Sequence, residues 1–360
     1  MELKANPIGK YITPINEKNK ENKYSNVLGV AIEKEFIPSV ANLIDTDLSK
    51  YSVLRKGRFA FNPMHVGRDM KLPIAMYKKV EPALVSPAYS MFEVNSDEIL
   101  PEYLELILKS SVFDHLCWFH TDASVRGGLS GDDFADLKIA VPSIHEQEKI
   151  VHNYRVVVDR IELLKKINSN LINLGNNVYK QYFIEKAKDN ENYSIHHLKE
   201  FFPVITGKKD ANVASFNGKY QFFSCSQDIL WTDDYSFDSD AILVAGNGDF
   251  SVKFYSGKFE AYQRTYVLIP NESKLRDLLF YTINYYLPFA TTAARGSVIS
   301  FITKGILEEI QFYLPIDQKE LTRFCNVFNK INNVIQWNNK EILILNKQKE
   351  LLLSTLTKEV

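Results

Sequence analysis

The sequence predicts an α/β (α+β) chain in which two similar globular domains alternate with two long helices that pair as an antiparallel coiled coil. Three observations carry this. The 360 residues, 45% hydrophobic and 24% charged, suit a folded chain of two or three domains at ~100–200 residues each. The chain repeats its own pattern at an offset near 170. Two segments of about forty residues carry apolar side chains at steps of four and three, the spacing of a coiled-coil seam.

The repeat is read from matched pieces. IAVPSIHEQ (139–147) and FYLPIDQ (312–318) each end an apolar run in proline and then glutamine, and Arg126-Gly127 in ASVRGGLS is matched by Arg295-Gly296 in AARGSVIS. Fixed-period self-similarity marks a duplicated unit. The boundaries that follow are 1–143 and 191–315 for the globular parts, 144–190 for the first long helix with its linker, and 316–360 for the second. In the globular parts VLGVAIEKEFI, RFAFNP, AYSMFEV, KYQFFSC, AILVAG, VKFYSG and RTYVLI read as strands between glycine turns. LPEYLELILKSSVF (100–113) and SKLRDLLFYTINYYL (273–287) read as one helix in each.

The long segments are nearly free of helix breakers, with Gly175 alone in the first and no glycine or proline from Ile316 to Val360. The first seam runs Ile150, Tyr154, Val157, Ile161, Leu164, Leu171, Val178; the second runs Phe324, Phe328, Ile331, Ile335, Ile342, Leu345, Leu352. Asn168 and Asn338 interrupt the two stripes at equivalent positions. Either they face each other and fix the register, or both face solvent in locally polar sequence. A helix of ~40 residues is ~60 Å long, which points to a spacer between two heads.

Motifs for chemistry are sparse. No stretch matches a phosphate loop, and Gly246-Asn247-Gly248 has Ser251 where a dinucleotide fingerprint needs a third glycine, so it reads as a turn. Asn62-Pro63-Met64-His65 lacks the second proline and the aromatic ring of a base-gripping loop, and also reads as a turn. His115, Cys117, His120 and Asp122 are zinc-ligand types but end an amphipathic helix without a well-spaced fourth ligand. The pairs Asp132-Asp133 and Asp233-Asp234 read as cap and turn residues. Cys117, Cys225 and Cys325 lie about a hundred residues apart, which argues against a disulfide framework and for a reducing cytoplasm. No run of ~18 apolar residues exists to span a membrane, and MELKANPIGKYITPINEKNK lacks a secretion signal's apolar core.

The formal net charge is −1, so any nucleic acid must be held by local patches. Between Lys50 and Lys79 eight basic residues stand against Asp69 alone. Candidates there are Arg55, Lys56, Arg58, Asn62, His65, Arg68 and Lys71, types that serve phosphates and base edges; a solvated surface is the plainer reading of the same run. In the second domain Lys208 and Lys209 follow a glycine turn, Asn247, Lys253 and Arg264 belong to the next turns and strands, and Arg126 and Arg295 sit at repeat-equivalent positions beside glycine.

The order of pieces resembles the specificity subunit of type I restriction–modification systems. VPSIHEQEKIV (141–151), RIELLKKINSNL (160–171), NNVYKQYFIE (176–185), FFPVITGKKDAN (201–212), NGKYQFFSCSQ (217–227), GNGDFSVKFYSGKFEAYQRTYVL (246–268), YSVLRKGRFAFNPMHVGR (51–68) and SPAYSMFEV (86–94) carry the likeness over essentially the whole chain. FYLPIDQKE departs from it, lacking the fuller P-x-x-E-Q. The resemblance implies two target-recognition domains that each read half of a bipartite double-stranded DNA site. It implies helices that set the gap and dock methyltransferase subunits, with a restriction subunit as a further partner. It also implies no catalysis and no cofactor in this chain, S-adenosylmethionine, ATP and Mg²⁺ belonging to partners. The other readings are a self-sufficient DNA methyltransferase or nuclease, and a coiled-coil assembly protein with no DNA role.

Overall fold

Strands with apolar residues on both faces alternate with helices in each half of the chain, and the two halves fold as separate units. The computed structural model describes residues 5–41, 43, 44, 46–121, 128–215, 218–248, 250–293 and 301–356. Unit 1 is Met1–Leu163 with Glu341–Val360, and unit 2 is Leu164–Lys340. No described helix is long and apolar enough to cross a membrane.

Unit 1 has ten described strands: β1 Ala5–Pro7, β2 Ile12–Pro14, β3 Val27–Val30, β4 Phe36–Pro38, β5 Ser52–Leu54, β6 Phe59–Phe61, β7 Ile74–Met76, β8 Ala83–Val85, β9 Ser90–Val94 and β10 Lys138–Ala140. They form sheets of order β2-β9-β6-β7 and β4-β3-β8-β5, with β1 paired to β10. Side chains alternate between faces: Phe59, Phe61 and Phe92 enter one core cluster with Phe134, while Ala60 and Met91 enter another with Tyr77 and Val85.

In unit 2 the strands are β11 Tyr193–His197, β12 Val204–Thr206, β13 Tyr220–Phe223, β14 Ile229–Thr232, β15 Phe237–Ala245, β16 Val252–Ala261, β17 Thr265–Leu268 and β18 Gln311–Pro315. Their main sheet has order β12-β17-β15-β16-β13-β14, and β11 pairs with β18. This is the topology of unit 1 with two strands left whole. Pairings β2·β9, β9·β6 and β3·β4 correspond to β12·β17, β17·β15 and β13·β14. The parallel pair β3·β8 corresponds to β13·β16. Strand β15 occupies the place of β5 and β6 together, and β16 that of β7 and β8. Each half is also closed by its first and last strands, β1·β10 and β11·β18.

Two predicted helices are bounded differently. The segment 100–113 is two helices, Pro101–Lys109 and Ser111–Phe119. Ser110 separates them: its hydroxyl donates to the Ile107 carbonyl at 2.8 Å and accepts the Phe113 amide at 3.1 Å, an N-cap that starts a new helix. The second-half helix starts as a 3₁₀ turn and runs Arg276–Ala293 through Pro288.

The first long helix is Ile144–Tyr179, 36 residues and ~54 Å, continued by a six-residue π turn, Lys180–Glu185. The second is Gln318–Thr355, 38 residues. They pair antiparallel within each unit. In unit 1 Arg160 bonds Glu341 at 2.7 and 3.1 Å, and Ile150, Val151 and Leu356 join one cluster. In unit 2 Tyr182 and Phe183 pack on Phe324, and Lys186 reaches Glu320 at 3.0 Å. Asn168, buried, donates to Asn339 at 2.8 Å and accepts from Asn338 at 2.7 Å. That contact favours the register reading over the solvent one. Beyond it, Gly175 and Tyr179 are buried where Leu171 and Val178 are only half-buried. The stripe turns there because the helix also meets Tyr281 of Arg276–Ala293, whose ring leaves no room for a Cβ at 175.

Candidate nucleic-acid interface

In unit 2 four turns of the six-stranded sheet are joined by backbone hydrogen bonds. Hydrogen bonds run from the Gly207 amide to the Thr265 carbonyl (2.9 Å), from Lys208 to Ala261 (3.2 Å), from Tyr262 to Phe223 (2.9 Å) and from Gly246 to Arg264 (2.8 Å). Glycine is required at two of these points, since a Cβ on Gly207 would strike the Ala261 carbonyl and one on Gly246 the Arg264 carbonyl. The Cys225 thiol adds a bond to the Arg264 carbonyl at 3.4 Å.

This stitching gathers Lys208, Lys209, Asn247, Lys253 and Arg264, which the sequence spreads over 57 positions. Lys208, Lys209 and Arg264 are exposed. Lys208 lies 5.8 Å from the Phe237 ring centroid, and the Lys253 ammonium donates to the Ser226 carbonyl. Asn247 is half-buried and bridges by its backbone to Phe301. Gly248, at φ +74°, completes the predicted turn. Cations on a rigid set of turns can meet several phosphates at once, and Asn247 adds an amide able to read a base edge.

The basic stretch of unit 1 is arranged otherwise. Arg55 bonds Glu17 through Nη2 at 2.6 Å, and Arg58 bonds the other Glu17 oxygen at 2.6 Å and Glu93 at 3.4 Å. The Arg55 and Arg58 hydrogen bonds pull the Glu17 carboxyl down to about 2. Lys50 pairs with Asp47 and Lys78 with Glu105. These four carboxylates all lie outside the stretch and pair four of its eight basic residues. Lys56 and Lys71 are exposed and make no ion pair among the described residues. Asn62 accepts the Met64 amide at 3.0 Å and caps the turn Pro63–His65. It follows β6 as Asn247 follows β15, so the duplication places both at the same turn. His65 and Arg68 belong to described backbone. Arg126 and Arg295, with their glycines, lie outside the described residues.

Other polar groups are structural. Gln147, fully buried, accepts the Leu100 amide and donates to Glu98 and Pro142 carbonyls, all at 2.8 Å; the glutamine of the repeat motif thus clamps helix to domain. Lys34 and Asp114 form a buried pair at 2.7 Å. A line from Ser194 through His196 to Glu200, 2.8 Å at each step, ties β11 to the following turn. The helix carrying His115 exposes it, as its C-terminal cap exposes His120, and buries Cys117, whose thiol burial pushes well above its ordinary range. Among the described residues no three histidine, cysteine or acidic side chains cluster as metal ligands.

Comparison with known proteins adds to this geometry. Residues 190–351 match the family described as Type I restriction modification DNA specificity domain. The chain is 42% identical over 118 residues to the type I restriction enzyme EcoDI specificity subunit of Escherichia coli, across 33% of this chain and 26% of that one. It is 24% identical over 173 residues to the HindI specificity subunit of Haemophilus influenzae, across 46% and 37%. It thus spans between a quarter and two-fifths of these relatives. The type I restriction–modification S subunit of M. genitalium shares its fold at a TM-score of 0.58 and 13% identity, over 99% of this chain and 96% of that one. Residues 190–351 thus match a type I restriction–modification DNA specificity domain, and the chain shares the fold of a specificity subunit along its length.

Proposed function

We propose that this chain is the DNA-reading subunit of a type I restriction–modification complex in the cytoplasm. Each half, its target-recognition domain bounded near 1–143 and 191–315, reads one part of a bipartite double-stranded site. The paired helices set the gap and dock adenine methyltransferase subunits, with a motor-nuclease subunit as a further partner. The chain performs no chemistry itself; S-adenosylmethionine, ATP and Mg²⁺ serve the partners. The observation that carries this reading is the stitched set of turns in unit 2, which gathers exposed Lys208, Lys209 and Arg264 beside Asn247. The duplicated topology supplies a second reader. Phosphate contacts fix position on a duplex and base contacts specify.

The test is adenine methylation of a randomised duplex pool by the chain assembled with a methyltransferase partner. Methylation should fall within a two-part motif. Inserting one heptad in each long helix should change the gap between the parts and leave their sequences intact. Methylation indifferent to sequence, or altered half-sites with an unaltered gap, would refute the proposal. Turnover by the chain alone with Mg²⁺ and S-adenosylmethionine would favour a self-sufficient enzyme.

A further inference from the structure

The second long helix carries a charge asymmetry that the seam does not use. Over residues 318–340 it holds Lys319, Arg323, Lys330 and Lys340 against one acid, Glu320. Glu320 is already bonded to Lys186 at 3.0 Å. The four cations are exposed and make no ion pair among the described residues of unit 2. They sit on the face away from buried Leu321, Phe324, Phe328, Ile331 and Ile335. Exposed Thr322 and Asn326 lie between them. By contrast the first long helix offsets its five basic residues with four acids, Glu146, Glu148, Asp159 and Glu162.

Unpaired like charges on one helix face repel one another and weaken the helix. A polyanion laid along the face removes that cost. The span from Lys319 to Lys340 is ~32 Å at 1.5 Å per residue, close to the ~34 Å of one duplex turn. Hydroxyl and amide side chains between the cations are the types that complete phosphate contacts.

We infer that the outer face of the second long helix is a phosphate track for duplex DNA, supplied by Lys319, Arg323, Lys330 and Lys340. It adds affinity without sequence preference, distinct from the turns proposed to read bases. The inference rests on the DNA-reading proposal but is tested separately from it.

The experiment measures duplex binding by the full chain, assembled with a methyltransferase partner, from 50 to 200 mM salt. It compares the unchanged protein with Lys319→Ala/Arg323→Ala/Lys330→Ala/Lys340→Ala and with a charge-keeping control, Lys319→Arg/Lys330→Arg/Lys340→Arg. Each phosphate contact contributes about 0.9 to the slope of log affinity against log salt, so four contribute about 3.6, or roughly 150-fold over that range. The alanine variant should lose that dependence equally on duplexes with and without the selected motif, and the arginine control should keep it. An unchanged slope with motif preference intact overturns the track and leaves the reading standing. Absence of motif preference in the unchanged protein overturns the reading instead. Loss of subunit assembly in gel filtration, with normal salt dependence in what remains, would make this face a protein-docking surface and overturn the track.

Discussion

Gly175→Ala separates a glycine tolerated in a helix from one required by packing. On a free helix face the change would stabilise by about 1 kcal/mol. Here the new methyl would overlap the Tyr281 ring. That ring is fully buried, 4.8 Å from the Phe328 ring, and its hydroxyl donates to Asn332 Oδ1 at 2.9 Å. Overpacking costs about 1–3 kcal/mol. If the ring shifts enough to release buried Asn332, the unsatisfied amide adds about 1–3 kcal/mol. With both terms counted and the propensity gain subtracted, the expected net loss is about 1–5 kcal/mol. Urea denaturation of the full chain, followed by fluorescence, measures it. On a Tyr281→Ala background the same change should restore the helix gain of about 1 kcal/mol. Equal or greater stability of Gly175→Ala on the native background would refute the packing argument.

Two further outcomes follow from the ion pairs of unit 1. Glu17→Gln should flatten the acid limb of stability: a carboxyl lowered to about 2 contributes fully above its unfolded value near 4.5 and loses that contribution as pH falls toward 2. With a third of the Glu17 side chain exposed, the effect is discounted to about 1 kcal/mol, and an unchanged pH profile in thermal melts would contradict it. Asp114→Ala leaves Lys34 buried without its partner and should cost about 3–5 kcal/mol, whereas Lys34→Met with Asp114→Leu should cost less than that single change; additive losses in a double-mutant cycle would reject the pairing.

Much of this fold was legible because its signals are local or periodic. The stripe through Phe324, Phe328, Ile331 and Ile335 and the alternation in RFAF need no knowledge of partners. The glutamine repeat exposed the duplication, although it could not show that β15 and β16 are each split in two in the first half. What was hidden depends on residues far apart in sequence. Arg55 and Arg58 read as free cations because Glu17 lies 38 and 41 positions away. Gly175 read as an interruption because Tyr281 is 106 positions distant. Lys208 and Lys209 were recognisable beside their glycine, but nothing local brings Arg264 to them; the Gly207 and Gly246 bonds do that. The cations of the second long helix lie off the heptad stripe, so the periodicity that reveals the helix says nothing of them.

The split of unit 1 between Met1–Leu163 and Glu341–Val360 has a consequence for biosynthesis. A ribosome releases the first stretch long before Glu341 and the residues after it exist. Until they emerge, Arg160 has no Glu341 to hold and the nascent helix shows its seam to whatever is nearby. The first stretch therefore waits on residues 341–356, so a stop codon placed before Glu341 would damage a region of the protein that was made much earlier.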